Sequence, residues 1–179
     1  MTITLIGYRG TGKTTVGLAL AERLGWNFVD LDPGIEQQAG ISIAEIFQQH
    51  GEPFFRHLES NALLQALSGD RSVISPGGGS ILDPANRSAM KAAGPVVWLA
   101  ASVETISERL SHDPSTQQSR PSLTGGNVIT EIQDVLNQRL PFYEEAATLV
   151  ISTDNRSPAA IVDEIVQQLS LPPVSLPPA

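Results

Sequence analysis

The chain has 179 residues, 41% hydrophobic and 17% charged, which suits one domain with enough apolar content for a core. Acidic residues outnumber basic ones 19 to 11, for a formal charge of −8; that argues against general nucleic-acid binding and against an anionic membrane surface, which both need a basic face. There is no Cys, so disulfides, thiolate metal sites and cysteine nucleophiles are excluded.

Thr2 to Ile6 is a short β-branched and apolar run that stops at Gly7 and predicts a buried strand. Thr14 to Leu24 carries Val16, Leu20 and Leu24 at helical spacing, and Gly25 ends it. Asn27 to Leu31 predicts a second strand. Pro33 opens a helix that Gly40 closes. Ser42 with Glu45 forms a capping box for another helix, whose apolar face holds Ile43, Ile46 and Phe47. A further helix is predicted over Pro53 to Leu67. Ser72 to Ser75 predicts a third strand, followed by Pro76-Gly77-Gly78-Gly79. Asp83-Pro84 reads as an N-cap with Pro at the first helical position. Pro95 to Ala100 predicts a fourth strand, and Ser102 caps a helix to about His112.

Asp113 to Asn127 is rich in Ser, Gln, Thr, Pro and Gly, which predicts a mobile loop. Helix is predicted again over Val128 to Glu145, a fifth strand over Thr148 to Ser152, and a last helix from Ser157-Pro158. Leu171 to Ala179 holds four Pro in nine residues and is predicted to be disordered. Short apolar strands alternating with helices imply right-handed crossovers and a parallel sheet covered on both faces, with ligands beyond the carboxyl ends of the strands. The N-terminus carries no basic segment followed by a long apolar core, and the longest apolar stretch, near Pro95 to Ala101, is too short to span a bilayer. The expectation is a cytoplasmic monomer with no nucleic-acid or membrane partner.

Nine of the eleven basic residues are Arg, the side chain that grips carboxylate and phosphate bidentately. An anionic small-molecule ligand and a plain bias against Lys explain this equally well. Gly7-Tyr8-Arg9-Gly10-Thr11-Gly12-Lys13-Thr14 carries sharper information, because it fits G-x-x-x-x-G-K-[ST] between a predicted strand and a predicted helix. The glycines let backbone N–H groups curl around phosphate, and the helix N-terminus adds a favourable dipole. Lys13 then reaches the β- and γ-phosphates, and the Thr14 hydroxyl meets Mg²⁺. Tyr8 and Arg9 fill variable positions and are expected to face solvent.

Asp30 and Asp32 stand at the end of the second strand, beside this loop. A carboxylate there can hold Mg²⁺ or take a proton from an attacking hydroxyl; turn and cap chemistry is the alternative. The Gly77-Gly78-Gly79 run ends the third strand at the same edge and lets a ligand approach bare backbone. Arg56 and Glu59, three apart on a helix, also read as a surface ion pair. Arg139 reads equally as a solvated cation. Arg120-Pro121 in the loop is either a closing cation or a solubilising charge. His50, His57 and His112 show no ligand spacing and are expected on the surface.

In this order and spacing, Gly7 to Thr14, Asp30-Leu31-Asp32, Phe55-Arg56 with Glu59, Gly77 to Gly79, Arg120-Pro121, and Arg139 with Tyr143 resemble the shikimate kinases, over roughly Thr2 to Leu169. The resemblance implies a three-layer α/β P-loop kinase fold with a five-stranded parallel sheet. It implies one domain over 1–170, with a substrate-binding region at about 33–62 and a lid at about 112–127. The implied reaction moves phosphate from ATP to the 3-hydroxyl of shikimate, with Mg²⁺, a step toward the aromatic amino acids. By resemblance, Gly10, Thr11, Gly12, Lys13, Thr14 and Thr15 cradle the nucleotide, with Arg109 and Pro158 flanking the adenine and Arg120 closing over the phosphates. Thr14 and Asp30 serve Mg²⁺. Arg56 and Arg139 grip the shikimate carboxylate with Gly78 and Gly79, Asp32 orients or deprotonates the 3-hydroxyl, and Phe47 and Phe55 wall the pocket. Lys13, Asp32 and Arg120 are the catalytic set. The chain departs from the family in having Pro76 where Thr usually precedes the triple glycine. A kinase for another polyol acid such as gluconate, and a non-catalytic nucleotide-binding module, are the alternatives.

Overall fold

The structure is a computed structural model and describes residues 1–112 and 128–171. Five parallel strands form one sheet: β1 (Thr2–Ile6), β2 (Asn27–Asp30), β3 (Ser72–Ser75), β4 (Val96–Ala100) and β5 (Leu149–Ser152), in the spatial order β2-β3-β1-β4-β5. Seven α-helices stand among the described residues: α1 (Lys13–Leu24), α2 (Leu31–Ala39), α3 (Ile43–Leu67), α4 (Pro84–Ala93), α5 (Val103–His112), α6 (Val128–Ala146) and α7 (Pro158–Gln168). The predicted strands and helices are all present, with ends shifted by a residue or two. No described helix is long and apolar enough to cross a membrane.

The alternation of side chains along each strand feeds two cores, one on each face of the sheet. Ile3, Leu5, Val73, Val97, Leu99 and Ile151 meet Val16 and Leu20 of α1 and Ile161 and Ile165 of α7. Ile6, Ile74 and Val96 meet Ile46, Phe55 and Leu63 of α3, Met90 of α4 and Tyr143 of α6. Each fully buried Ile or Leu contributes about 1.5–3 kcal/mol relative to an exposed one, so the layering is dictated by the apolar periodicity. A third, smaller cluster joins Tyr8, Ile106 and Leu110 of α5, and Ile132 of α6.

The caps read from sequence are formed. Ser42 and Glu45 make the reciprocal capping box, with Ser42 Oγ accepting from Glu45 N at 3.2 Å and Glu45 Oε2 accepting from Ser42 N at 2.8 Å. Asp83 Oδ1 accepts from Ala85 N at 2.8 Å, and Ser157 Oγ accepts from Ala160 N at 3.3 Å. The α3 helix is kinked at Gly51 (φ 78°, ψ 172°), so its two halves are the two helices the sequence predicts there.

Three expectations need correcting. The α2 helix begins at Leu31, so Asp32 lies in its first turn and not at a strand end. Pro33 is tolerated there because the first-turn N–H groups have no intrahelical partner. A short 3₁₀ turn, Ser80–Leu82, follows the triple glycine and was not anticipated. Leu171, assigned to the disordered tail, is 8% exposed and packs in the first core, its N–H donating to Val166 O at 3.0 Å. The rest of that tail, 172–179, and the predicted lid loop at 113–127 lie outside the described residues.

Candidate active site

Gly7 to Lys13 leaves the carboxyl end of central strand β1 and turns into α1. Gly10 (φ 79°) and Gly12 (φ 92°) hold left-handed backbone that a side chain disfavours. Thr11 is buried, and its hydroxyl and N–H both donate to Tyr8 O, at 2.8 and 3.3 Å. Lys13 Nζ folds back across the loop to donate to Gly7 O at 2.9 Å and Tyr8 O at 3.2 Å. Thr14 and Thr15 are exposed in the first turn of α1, at the positive end of its dipole. A glycine-rich loop of this kind, running into a helix N-terminus with a lysine folded across it, suits a phosphate.

The β2–β3 register pairs Asp30 with Ser75, which carries Pro76 to Gly79 alongside the start of α2. The Asp30 side chain does not cap the helix it precedes. It accepts instead from the Thr14 hydroxyl, at 2.9 Å. Burial pushes the Asp30 carboxyl up, and the Thr14 hydrogen bond partly offsets this. A Cβ at Gly77 would lie 3.1 Å from Asp32 Oδ1 and 2.3 Å from Glu59 Oε1, so only a glycine admits both carboxylates here.

Arg56 and Glu59 are not a surface pair. Glu59 is 1% exposed and accepts from Arg56 Nη1 at 2.7 Å, while Glu52 Oε1 accepts from Arg56 Nε and Nη2 at 3.1 and 2.9 Å. Burial raises the Glu59 carboxyl and Arg56 works against that rise. A Cβ at Gly79 would fall 2.4 Å from Arg56 Nη1, so the guanidinium lies flush against the glycine turn. Arg139 of α6 reaches the same turn from the other side of the sequence, Nη1 donating to Gly78 O at 3.0 Å. Tyr143, one helical turn on, donates its hydroxyl to the same carbonyl at 3.1 Å and stacks on Trp98 at 5.4 Å between ring centroids. Burial holds the Tyr143 phenol up at about 12. Phe47 and the fully buried Phe55 pack at 4.7 Å beside Arg56. Pro76 is buried, and the glycines after it make all the contacts described.

Arg109 of α5 spans from the loop to the end of β5, donating to Gly10 O at 3.2 Å and to Thr153 Oγ1 and O at 3.0 and 2.8 Å. Pro158 is exposed at the first position of α7, beyond that same strand. Arg120 lies outside the described residues. The three histidines are exposed, as expected.

Two residues were misread or passed over. Tyr8, expected in solvent, is 5% exposed. Arg87, without an assigned role, is 7% exposed and braces the turn after the glycines, donating to Ile81 O at 2.7 Å and Leu82 O at 3.2 Å while pairing with Glu145 at 3.0 Å. Tyr8 packs against α5 and α6, distant in sequence, while Arg87 joins carbonyls five and six residues before it to Glu145 of α6. Glu59, whose spacing of three from Arg56 reads as a surface pair, is instead buried against Gly77.

Thr14 and Asp30 fit a Mg²⁺ ion of the kind that takes most of its ligands from phosphates and water. No cluster of three or more His, Asp or Glu that would cage a metal outright exists among the described residues.

The shikimate kinase family model matches residues 9–170. The shikimate kinase of Nitratidesulfovibrio vulgaris is 43% identical over 166 residues, covering 93% of this chain and 94% of that protein. A solved shikimate kinase from Acinetobacter baumannii in complex with shikimate is 36% identical with a TM-score of 0.88, covering 94% of this chain and 92% of that one. The shikimate kinase of Bacteroides thetaiotaomicron is 32% identical with a TM-score of 0.86, covering 96% and 99%. A gluconokinase from Sinorhizobium meliloti is 19% identical with a TM-score of 0.55, a likeness of fold alone. With the phosphate loop and the glycine turn already pointing to a phosphotransferase for a small acid, a family match over nearly the whole chain decides the matter: the chain belongs to the shikimate kinase family.

Proposed function

We propose that this chain transfers the γ-phosphoryl group of ATP to the 3-hydroxyl of shikimate. One observation carries the acceptor: two guanidiniums from different helices, Arg56 and Arg139, reach one three-glycine turn whose first glycine abuts Asp32. A carboxylate resting on that turn meets two bidentate donors. A ring hydroxyl of the same molecule then falls toward Asp32, which orients it or accepts its proton as it attacks. The region at about 33–62 contributes Arg56 and the Phe47–Phe55 wall. Lys13 leaves the carbonyls of Gly7 and Tyr8 for the transferring phosphate. Arg120, in the lid segment, adds positive charge over the phosphates and excludes water. Mg²⁺, held beside Thr14 and Asp30, neutralises phosphate charge when bound. Arg109 and Pro158 flank the adenine. Positioning and electrostatics supply most of the acceleration, as in phosphoryl transfer generally.

A coupled ADP-release assay with shikimate and gluconate side by side tests this. Shikimate-dependent turnover is expected, falling by about 100-fold or more in Asp32→Asn. Turnover with gluconate only, or nucleotide binding with no transfer to either acid, overturns the proposal, as does an unchanged kcat/KM in Asp32→Asn.

A further inference from the structure

The phosphate-loop pattern places no demand on its second position, yet Tyr8 there is one of two tyrosines in the chain and is 5% exposed. Its main chain belongs to the nucleotide cradle, since its carbonyl accepts from Lys13 Nζ at 3.2 Å and Thr11 Oγ1 at 2.8 Å. Its side chain leaves the cradle altogether. It packs with Ile106, Leu110 and Ile132, and two guanidiniums lie over its ring, Arg9 with Cζ 5.7 Å and Arg139 with Cζ 5.9 Å from the centroid. A Cβ at Gly78 would lie 3.7 Å from Tyr8 Cα and 3.2 Å from Gly7 O, so the nucleotide loop and the glycine turn are already in contact where Tyr8 stands.

A guanidinium on a long side chain needs more than one anchor to hold a useful orientation. Gly78 O supplies one for Arg139. The Tyr143 hydroxyl beside it is another polar contact, and the electron-rich face of an aromatic ring, clamped in an apolar cluster, adds an anchor that does not compete for the N–H groups a carboxylate needs. We propose that Tyr8 is a positioning residue that holds Arg139 in its acid-gripping orientation and sets its separation from the nucleotide loop. This rests on the reading that Arg139 binds the acceptor carboxylate.

Core filling alone predicts that any apolar side chain of similar size suffices. Orientation through the ring face predicts that only an aromatic one does. Tyr8→Phe and Tyr8→Leu separate the two, with Tyr8→Met as a second aliphatic variant and thermal melting to verify that each is folded. Tyr8→Phe is expected to keep the KM for shikimate near the parent value. Tyr8→Leu and Tyr8→Met are expected to raise it about fivefold to thirtyfold, with the KM for ATP changed less than about twofold. Equal KM values for shikimate in the Phe and Leu variants, or parallel rises for both substrates, overturn the proposal while the substrate assignment stands. No shikimate turnover by the parent enzyme overturns the substrate assignment instead.

Discussion

Gly79→Ala probes the acid-gripping arm with a single methyl group. Gly79 has φ −98° and ψ −8°, which alanine adopts freely, so the backbone itself is not strained. The new Cβ would stand 2.4, 2.6 and 2.7 Å from Nη1, Nη2 and Cζ of Arg56. Ordinary carbon contacts begin near 3.5 Å, so the guanidinium must retreat by about 1 Å. It is also tied to Glu59 at 2.7 Å and Glu52 at 2.9 Å, bonds set by its present position. Retreat therefore loosens the bond to Glu59, a carboxylate only 1% exposed. Deleting one partner of a buried pair costs about 3–5 kcal/mol, and displacing it costs a part of that, about 1–3 kcal/mol. For a domain of this size that lowers Tm by about 2–12 °C. On the proposed reading, the displaced Arg56 would also lose its contact with the acceptor, worth about 1.5–3 kcal/mol for a charged hydrogen bond, which would raise the KM for shikimate about 10- to 150-fold. Thermal melts and the coupled assay read both effects. Gly34→Ala is the control: no atom lies within 4 Å of its Cβ. That substitution, inside α2, should raise Tm by about 1–4 °C. A Gly79→Ala enzyme with the parent's Tm and KM would refute the reasoning.

Two further outcomes are expected. Burial raises the Asp30 carboxyl, so its contribution to stability is full below the unfolded pKa and is lost as pH rises through the higher folded value. Asp30→Asn removes that ionisation and keeps an acceptor for Thr14. It should melt about 1–3 °C above the parent at pH 7, the difference narrowing as pH falls through the carboxylate range, while kcat drops. A difference of opposite sign, or one that does not narrow, contradicts the burial argument. Tyr143 stays protonated well into alkaline solution because burial holds it up at about 12, so its hydroxyl remains a donor to Gly78 O throughout the assay range. Tyr143→Phe should cost about 0.5–1.5 kcal/mol, read as a Tm lower by about 1–6 °C, with no new step in the pH–rate profile below pH 10.

The strands and helices were legible because apolar periodicity and local caps act within a few residues. Ser42 with Glu45 and Asp83 with Pro84 needed no tertiary information. The same holds for the loop from Gly7 to Thr14, whose chemistry sits in eight consecutive residues. What escaped was decided by partners that no local pattern announces. Glu59 looked like half of a surface pair because nothing local reports that Gly77 closes over it and Gly79 over Arg56. Tyr8 looked exposed because its neighbours come from α5 and α6. Arg87 looked idle because its acceptors, Ile81 O and Leu82 O, lie in a 3₁₀ turn whose sequence carries no signal. Asp32 was placed at the right edge but on the wrong element, since Pro33 is as compatible with a first helical turn as with a helix start.

The strand order has a consequence for how the enzyme comes into being. The first strand made, β1, is the middle strand of the finished sheet, flanked by β3 and β4. Its ladder partners begin at Ser72 and Val96, and the loop that follows it packs against Leu99 O through Gly7. Arg139 and Gly78 are 61 residues apart. Pairings of this range are slow to form because the intervening chain must first be ordered. On the ribosome, a chain extended no further than α5 holds the nucleotide loop and β4 but lacks Arg139, the proposed second grip on the acid. On the proposed reading of Arg139, acceptor recognition is thus among the last properties the nascent chain acquires.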